Sequence, residues 1–480
     1  MFALFTALAL VLLGILLVTA KLIWVRWRLP RRLFVPSSII GGCIALLLGP
    51  DVLGRIAPLL GAGMLGNGLF GADVVAVWRL LPELLITVVF AGLFLGRRLP
   101  RIADAARIAG PQVTFGFMQC AGQYVVGLLL AILVLGPVFQ LPAMSGVLIE
   151  VGFEGGHGTA AGLGDTFARA GFAEGHDLAV GMATFGLVSS IIIGIALINW
   201  GVRKGETAEL YVGGTRHVNQ QMGRVEGGQG GLGAMWRVPR ASIAPFLLHV
   251  LFIGIAILIG QGMLSGLRAL ERAVWIDSVE LFAYIPLFPL AMIGGIALRF
   301  VLDRVSPRDL VDQETTLRIQ GFTLEVLIIA ALGSLSLSVL ATNIVPFLIL
   351  AVAGLIWCVG SFLLLGPRML PSYWFERGIG NLGQTLGTSA TGLLLMRIAD
   401  PGLKTPAFEA FGYKQLAVQP FFGGGLITAI QIPLILQYGP NVLLLASTAL
   451  LAVTLLLGLL VFGRMRPGAD ERSRSESAAT

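Results

Sequence analysis

The chain has 480 residues, of which 56% are hydrophobic and only 12% are charged, with a mean hydropathy of +0.88. Soluble domains carry about 25% charged residues, so the composition excludes a soluble globular protein and predicts an all-α polytopic membrane protein. The net charge of +7 is interpreted through membrane orientation, and not as a surface for nucleic acid.

Apolar runs approach or exceed the ~20 residues that cross a bilayer, and they predict eleven transmembrane helices. The first run is interpreted as a retained span, because its basic cluster follows the apolar residues, whereas a signal peptide has the reverse order. The predicted spans are residues 2–20, 33–50, 81–96, 112–136, 179–200, 242–265, 279–299, 320–340, 344–366, 415–438 and 441–463.

Two glycine-rich segments, residues 142–164 and 376–396, lie between these spans and are rich in small polar residues. Irregular polar backbone at membrane depth is tolerated only inside protein or along a water-filled cavity. A pair of such interruptions in two halves of a chain indicates a transporter's binding site. Both segments are therefore predicted to be re-entrant hairpins.

The basic residues support this layout. With the N-terminus outside and both segments re-entrant, 28 of the 33 Lys and Arg residues fall on the cytoplasmic side, as the positive-inside rule requires. The C-terminus is then cytoplasmic. The first segment enters from outside and the second from inside, which predicts an inverted repeat.

The predicted organisation has five parts. They are residues 1–30 with the first span, repeat one at 31–200, a cytoplasmic linker and sixth span at 201–270, repeat two at 271–440, and the last span with a polar tail at 441–480. Glu83 and Glu325 open corresponding predicted spans and are interpreted as structural, since a carboxylate stabilises a helix N-terminus.

The chain contains Gly155-Gly156-His157-Gly158-Thr159 and, after it, Ala179-Val180-Gly181-Met182-Ala183-Thr184-Phe185-Gly186-Leu187-Val188. This pair of stretches resembles the bacterial sodium/glutamate symporters. The chain departs from that family where Gly383-Gln384-Thr385-Leu386-Gly387 replaces a Gly-Phe-Gly-Leu-Gly run. The resemblance implies sodium coupling, a homodimer in the bacterial inner membrane and elevator-like alternating access. It implies no cofactor other than the coupling ion.

In the first segment, glycines allow close approach of a ligand to the backbone. Thr159 is predicted to cap a half-helix running to about Asp165, whose free N–H groups suit a carboxylate. A tight turn between packed helices is the alternative. His157 fits equally a substrate or proton site and a structural hydrogen bond. The predicted substrate residues here are Gly155, Gly156, His157, Gly158 and Thr159.

The second segment offers side-chain oxygens that suit Na⁺, and a half-helix start at Thr388 that suits an anion. The alternative is hydrogen bonding between helices. The predicted substrate residues are Gln384, Thr388 and Ser389, and the predicted ion-binding residues are Asn381, Thr385, Thr391 and Asp165. Gln119 and Gln123 share a helix face and either line the cavity or bind neighbouring helices.

The sequence thus predicts a sodium-coupled importer of glutamate, in contact with the lipid bilayer. A symporter for another carboxylate, such as a di- or hydroxy-acid, is the close alternative. An intramembrane enzyme is disfavoured because the chain lacks a Gly-x-Ser-x-Gly elbow and a His-Glu-x-x-His pair. A channel, with flux that does not saturate, is the third possibility.

Overall fold

The computed structural model describes residues 2–27, 30, 35–96, 102–207, 243–274, 282, 284–305, 311–401 and 404–464. The structure is 83% helical, with no strand in these ranges. This confirms the all-α class. Residues 208–240 of the predicted linker, and residues 465–480 of the predicted polar tail, lie outside the described residues.

The helices are numbered here in chain order. The first nine are α1 (Phe2–Arg26), α2 (Ser37–Leu48), α3 (Leu53–Leu59), α4 (Ala72–Gly92), α5 (Ile102–Leu130), α6 (Leu148–Gly152), α7 (Gly156–Gly162), α8 (Gly164–Arg169) and α9 (Glu174–Lys204). The rest are α10 (Ile243–Val274), α11 (Leu287–Val305), α12 (Gln313–Gly333), α13 (Leu337–Thr342), α14 (Ile344–Met369), α15 (Trp374–Leu386), α16 (Ser389–Ala399), α17 (Ala407–Val418), α18 (Leu426–Tyr438) and α19 (Pro440–Leu456).

Nine stretches in the described part of the chain are helical, long and apolar enough to cross a membrane. Each corresponds to one predicted span. The predicted span 279–299 corresponds to α11, and 415–438 corresponds to the end of α17 together with the 13-residue α18. The structure therefore confirms a polytopic protein, while the count of eleven spans stays a prediction.

The chain divides into two compact units. Unit 1 comprises Met1–Arg98, His157–Gly181 and Gly230–Ile344, and unit 2 comprises Leu99–Gly156, Met182–Gln229 and Val345–Thr480. Each predicted repeat contributes residues to both units. The boundaries of the compact units therefore differ from those of the two predicted repeats. The inverted repeat stays a prediction.

Unit 1 is held together by close packing of α1, α2, α4 and α12. The fully buried Trp78 donates its indole N–H to the carbonyl of Ala9, 3.0 Å away. A Cβ added at Gly42 would lie 2.6 Å from Leu332 Cβ, so this glycine lets α2 and α12 approach closely. Small residues serve this purpose in membrane helices.

Glu83 and Glu325 do not open their helices, because α4 begins at Ala72 and α12 at Gln313. The prediction that they lie at helix N-termini is therefore wrong, since α4 begins 11 residues before Glu83 and α12 begins 12 residues before Glu325. Glu325 instead pairs with Lys21 of α1 at 2.7 Å. This ion pair is consistent with a structural role for Glu325.

Unit 2 has its own core where α5, α14 and α19 pack. Phe115 and Met118 contact Met369 and the partly buried Leu455. A Cβ at Gly122 would lie 1.9 Å from the Trp357 ring, so α5 has a notch that receives the indole. This packing fixes the position of α5, whose polar face forms part of the site described next.

Candidate functional site

Helices α15 and α16 form a helical hairpin inside unit 2, in the segment predicted at 376–396. The break falls at Gly387 and Thr388. A Cβ at Gly392 would lie 2.4 Å from the Gly380 carbonyl oxygen, and one at Gly383 would lie 2.9 Å from Gly392 Cα. The two helices approach this closely because three glycines meet at their contact.

Thr388 is the N-cap of α16, as the predicted half-helix start requires. Its side-chain oxygen accepts a hydrogen bond from the Thr391 backbone N–H at 3.3 Å, and the two hydroxyls lie 3.1 Å apart. Thr391 is thereby engaged in the cap. The remaining N–H groups of the first turn form the positive end of the helix.

Three glutamines on one face of α5 bind α15. The Gln112 amide donates to Asn381 Oδ1 at 3.2 Å, and Thr385 donates its hydroxyl to Gln119 Oε1 at 3.2 Å. Gln123 donates to the Thr385 carbonyl at 3.1 Å. All five side chains are buried. Of the two possibilities for Gln119 and Gln123, the structure therefore shows hydrogen bonding between helices.

A buried cluster of Glu154, Gln384 and Lys414 lies beside this hairpin. The Gln384 amide donates to Glu154 Oε1 at 2.5 Å, and the Lys414 ammonium donates to Gln384 Oε1. Lys414 Nζ is 3.7 Å from Glu154 Oε1, and these two side chains are 0% and 1% exposed. A buried charge is costly unless it is paired, and here the pair is internal to unit 2.

The predicted cytoplasmic count of 28 basic residues includes Lys414 as a loop residue, and the structure shows that this placement is wrong. The residue lies in α17, against α5, where Gly116 leaves space for its stem. Arg377, also counted as a loop residue, is buried in α15. Removing both leaves 26 of the remaining 31 basic residues on the predicted cytoplasmic side, and the orientation stays a prediction.

Glu150, one turn before Glu154, is a second buried carboxylate that the sequence interpretation missed. It accepts hydrogen bonds from the Gly423 N–H at 2.8 Å, the Thr428 hydroxyl at 2.9 Å and the Tyr124 hydroxyl at 2.8 Å. The signal was an acidic residue inside an apolar run, which in a membrane protein indicates a bound partner.

The glycines of the first segment have two different roles. Gly156 has φ +63°, a left-handed conformation that favours glycine, and it is the last residue of the stretch Leu99–Gly156 of unit 2. In unit 1, a Cβ at Gly158 or Gly162 would lie 2.5 or 2.6 Å from Ile86 of α4. Close packing of α7 against α4 therefore accounts for these two glycines.

Thr159 is not a helix cap, because α7 begins at Gly156 and places Thr159 in its interior. The prediction of a cap is wrong because the glycines themselves continue the helical turn. Thr159 and His157 are both buried in unit 1. Asp165, also in unit 1, is half-exposed and pairs with Arg169 at 2.9 Å, the usual arrangement on a solvated helix turn.

Two glutamine side chains donate hydrogen bonds to Ser389 at the start of α16. Gln415 lies in α17, and Gln419 directly follows the last residue of that helix. Gln415 Nε2 donates to Ser389 Oγ at 2.5 Å, and Gln419 Nε2 does so at 3.4 Å. The Oε1 atoms of both glutamines are buried and have no hydrogen-bond partner among the described residues. The start of α16 thus combines N–H donors with carboxamide acceptors.

Apolar spanning helices, together with a broken polar hairpin buried inside one compact unit, define a polytopic secondary transporter. The family model of the sodium/glutamate symporter matches residues 79–373, more than half of the chain. The chain belongs to the sodium/glutamate symporter family, whose members are Na⁺-coupled transporters and not enzymes. A comparison with curated proteins gave no match.

The matched range includes Glu150, Glu154 and the first glycine-rich segment, and it ends one residue before α15. Gln384 and Thr385, where the sequence resemblance is weakest, lie beyond the matched range, and both take part in the buried network. Gln384 contacts Glu154 and Lys414, and Thr385 contacts Gln119. Both side chains therefore have polar partners inside unit 2.

Proposed function

We propose that this protein imports glutamate together with Na⁺ by alternating access of the elevator type. The observation that carries the proposal is the start of α16 inside unit 2. There, the positive helix end suits a carboxylate, and the acceptors Gln415 and Gln419 lie beside Ser389. An α-amino acid presents both a carboxylate and an ammonium group, which need these two kinds of partner.

In unit 2, Thr388 and Ser389 are proposed to bind the substrate. Gly155 and Gly156 of the first segment are proposed to contact it through their backbone. Asn381, Thr385 and Thr391 are proposed to line the path of Na⁺, since their oxygens are of the kind that Na⁺ prefers. His157, Gly158 and Thr159 remain predictions. Asp165 is left out because it lies in unit 1, half-exposed, and pairs with Arg169.

Uptake of labelled glutamate into proteoliposomes tests the proposal. Uptake should require an inward Na⁺ gradient and should saturate. Flux that does not saturate and ignores the Na⁺ gradient would indicate a channel, and absence of uptake for every acidic amino acid would refute the substrate assignment.

The alternative substrate is a di- or hydroxy-acid, and the changed residues Gln384 and Thr385 favour testing it. Replacing Gln415 by Leu removes an acceptor for the ammonium group. The KM for glutamate should rise about tenfold, equal to about 1.4 kcal/mol, while the inhibition constant of a dicarboxylate should not change. The matched control is Gln437→Leu on α18. Equal effects on both ligands would contradict an ammonium site.

The location and assembly are part of the same proposal. We infer a homodimer in the bacterial inner membrane, with the N-terminus outside and the C-terminus cytoplasmic. A protease site added after Thr480 should be cut in inside-out vesicles and spared in right-side-out vesicles. Chemical crosslinking in membranes should give a species of twice the monomer mass.

A further inference from the structure

Lys414 is a cation that the chain itself places inside unit 2. Its side chain is 0% exposed, donates to Gln384 Oε1 and lies 3.7 Å from Glu154 Oε1. The ammonium therefore has a carboxylate oxygen and a carboxamide oxygen as neighbours. Such oxygens are also the ligands that a bound Na⁺ would take in a transporter.

Gly116 of α5 leaves space for the side chain of Lys414. A Cβ added at Gly116 of α5 would lie 2.4 Å from Lys414 Cε and 3.5 Å from its Cδ. Any larger residue at position 116 would displace the lysine stem. Glycine at this position therefore permits the ammonium to reach Glu154.

Glu154 has capacity for a further ligand. Its Oε1 accepts from Gln384, whereas its Oε2 is buried and has no hydrogen-bond partner among the described residues. An ordinary structural ion pair stabilises best when hydrogen bonds satisfy the remaining oxygen. A carboxylate with one oxygen left over is instead suited to bind a small cation.

The position of the cluster connects it to transport. Glu154 immediately precedes Gly155 and Gly156, and Gln384 lies on α15, one turn before Thr388. A cation at Glu154 and Gln384 is thus held next to the proposed substrate end of α16. Its charge contributes to the potential at that site whether it belongs to Na⁺ or to Lys414.

We propose that the Lys414 ammonium occupies a cation position formed by Glu154 and Gln384, in place of one Na⁺. This chain then binds one Na⁺ fewer than the same chain with the lysine removed. The link to coupled uptake depends on the proposed function, whereas the binding of Na⁺ does not.

Equilibrium binding of ²²Na⁺ to the purified full-length protein tests the proposal. Lys414→Ala should bind one additional Na⁺ per chain compared with the unchanged protein. Lys414→Ala combined with Glu154→Gln should lose that additional ion, and Lys414→Arg should bind as the unchanged protein does. Lys414→Ala with no additional ion, or a double variant that retains it, would overturn the proposal.

Removal of a buried lysine leaves Glu154 without its charge partner, so folding is followed in the same samples by size-exclusion chromatography. Lys414→Met, which fills the space beside Gly116, is the second variant. If either variant folds only at a high Na⁺ concentration and not at the same concentration of choline, the proposal is supported. Aggregation of both variants in Na⁺ and choline alike would count against it.

Uptake measured on the same preparations separates the two proposals. An unchanged protein without glutamate uptake would refute the proposed function, while an additional Na⁺ in Lys414→Ala would still support the cation position. Uptake by the unchanged protein, with identical Na⁺ binding in every folded variant, would refute only the role of Lys414.

Discussion

Tyr124 donates its hydroxyl proton to Glu150 across 2.8 Å, and both side chains are buried. This bond joins α5 to the short helix α6, which carries Glu150 and ends two residues before Glu154. Thr428 and the Gly423 backbone complete the environment of Glu150. The oxygen atoms of that carboxylate are therefore held from three separate parts of unit 2.

Replacing Tyr124 by Phe should destabilise the protein by about 1–3 kcal/mol, since Glu150 Oε2 loses a hydrogen-bond donor while it stays buried. The thermal unfolding midpoint in detergent should fall measurably. The matched control is Tyr413→Phe, which removes an exposed bond to Glu409 and should leave the midpoint nearly unchanged. Equal shifts in both variants would contradict the importance of the Glu150 contact.

Replacing Gly392 by Ala should separate α15 from α16. The added Cβ would lie 2.4 Å from the Gly380 carbonyl oxygen, and overpacking of this kind costs about 1–3 kcal/mol. Uptake should fall at least tenfold. Gly412→Ala is the control, because nothing lies within 4 Å of a Cβ at that position. Unchanged uptake in Gly392→Ala would show that the hairpin tolerates a wider separation.

Replacing Thr388 by Ala removes the N-cap of α16. The loss of a cap costs about 0.5–2 kcal/mol, and the KM for glutamate should rise with it because α16 presents its first turn to the substrate. Thr388→Ser keeps the oxygen and should restore most of the affinity. If Thr388→Ala raises the KM no more than Thr448→Ala, whose hydroxyl lies on α19, the substrate assignment to this end fails.

Asp312 gives a prediction for pH. It caps α12, and hydrogen bonds from the Thr315 hydroxyl and backbone N–H lower its pKa below the usual 3.8. Because the pKa is lower in the folded state, the stabilisation is present above about pH 3.8 and is lost as the pH falls through the folded value. Asp312→Asn should remove this dependence, so the thermal unfolding midpoint of that variant should change less between pH 5 and pH 3.

The spans were predictable because apolar runs are local features of the sequence. The break at Thr388 was also predictable, since small polar residues and glycine interrupt an apolar pattern there. The role of Lys414 was not, because its burial depends on Gly116, which lies about 300 residues earlier. A lysine next to an apolar run looks like a loop residue until the packing of α17 on α5 is known.

The two glycine-rich segments looked alike in sequence and differ in structure. In the second, glycines allow two helices to touch each other. In the first, Gly158 and Gly162 allow α7 to touch Ile86. Residue composition predicts close approach in both cases, but it does not specify the partner, because the partner is set by contacts distant in sequence.

The buried carboxylates of Glu150 and Glu154 also constrain the order of synthesis and folding. Helix α6 is five residues long and carries Glu150, with Glu154 one turn further on. Thr428, a partner of Glu150, is 278 residues later in the chain, and Lys414 is only slightly nearer. Contacts at such separation form slowly. The segment therefore cannot complete the buried contacts of its carboxylates until Thr428 has been synthesised, and unit 2 must close after that point.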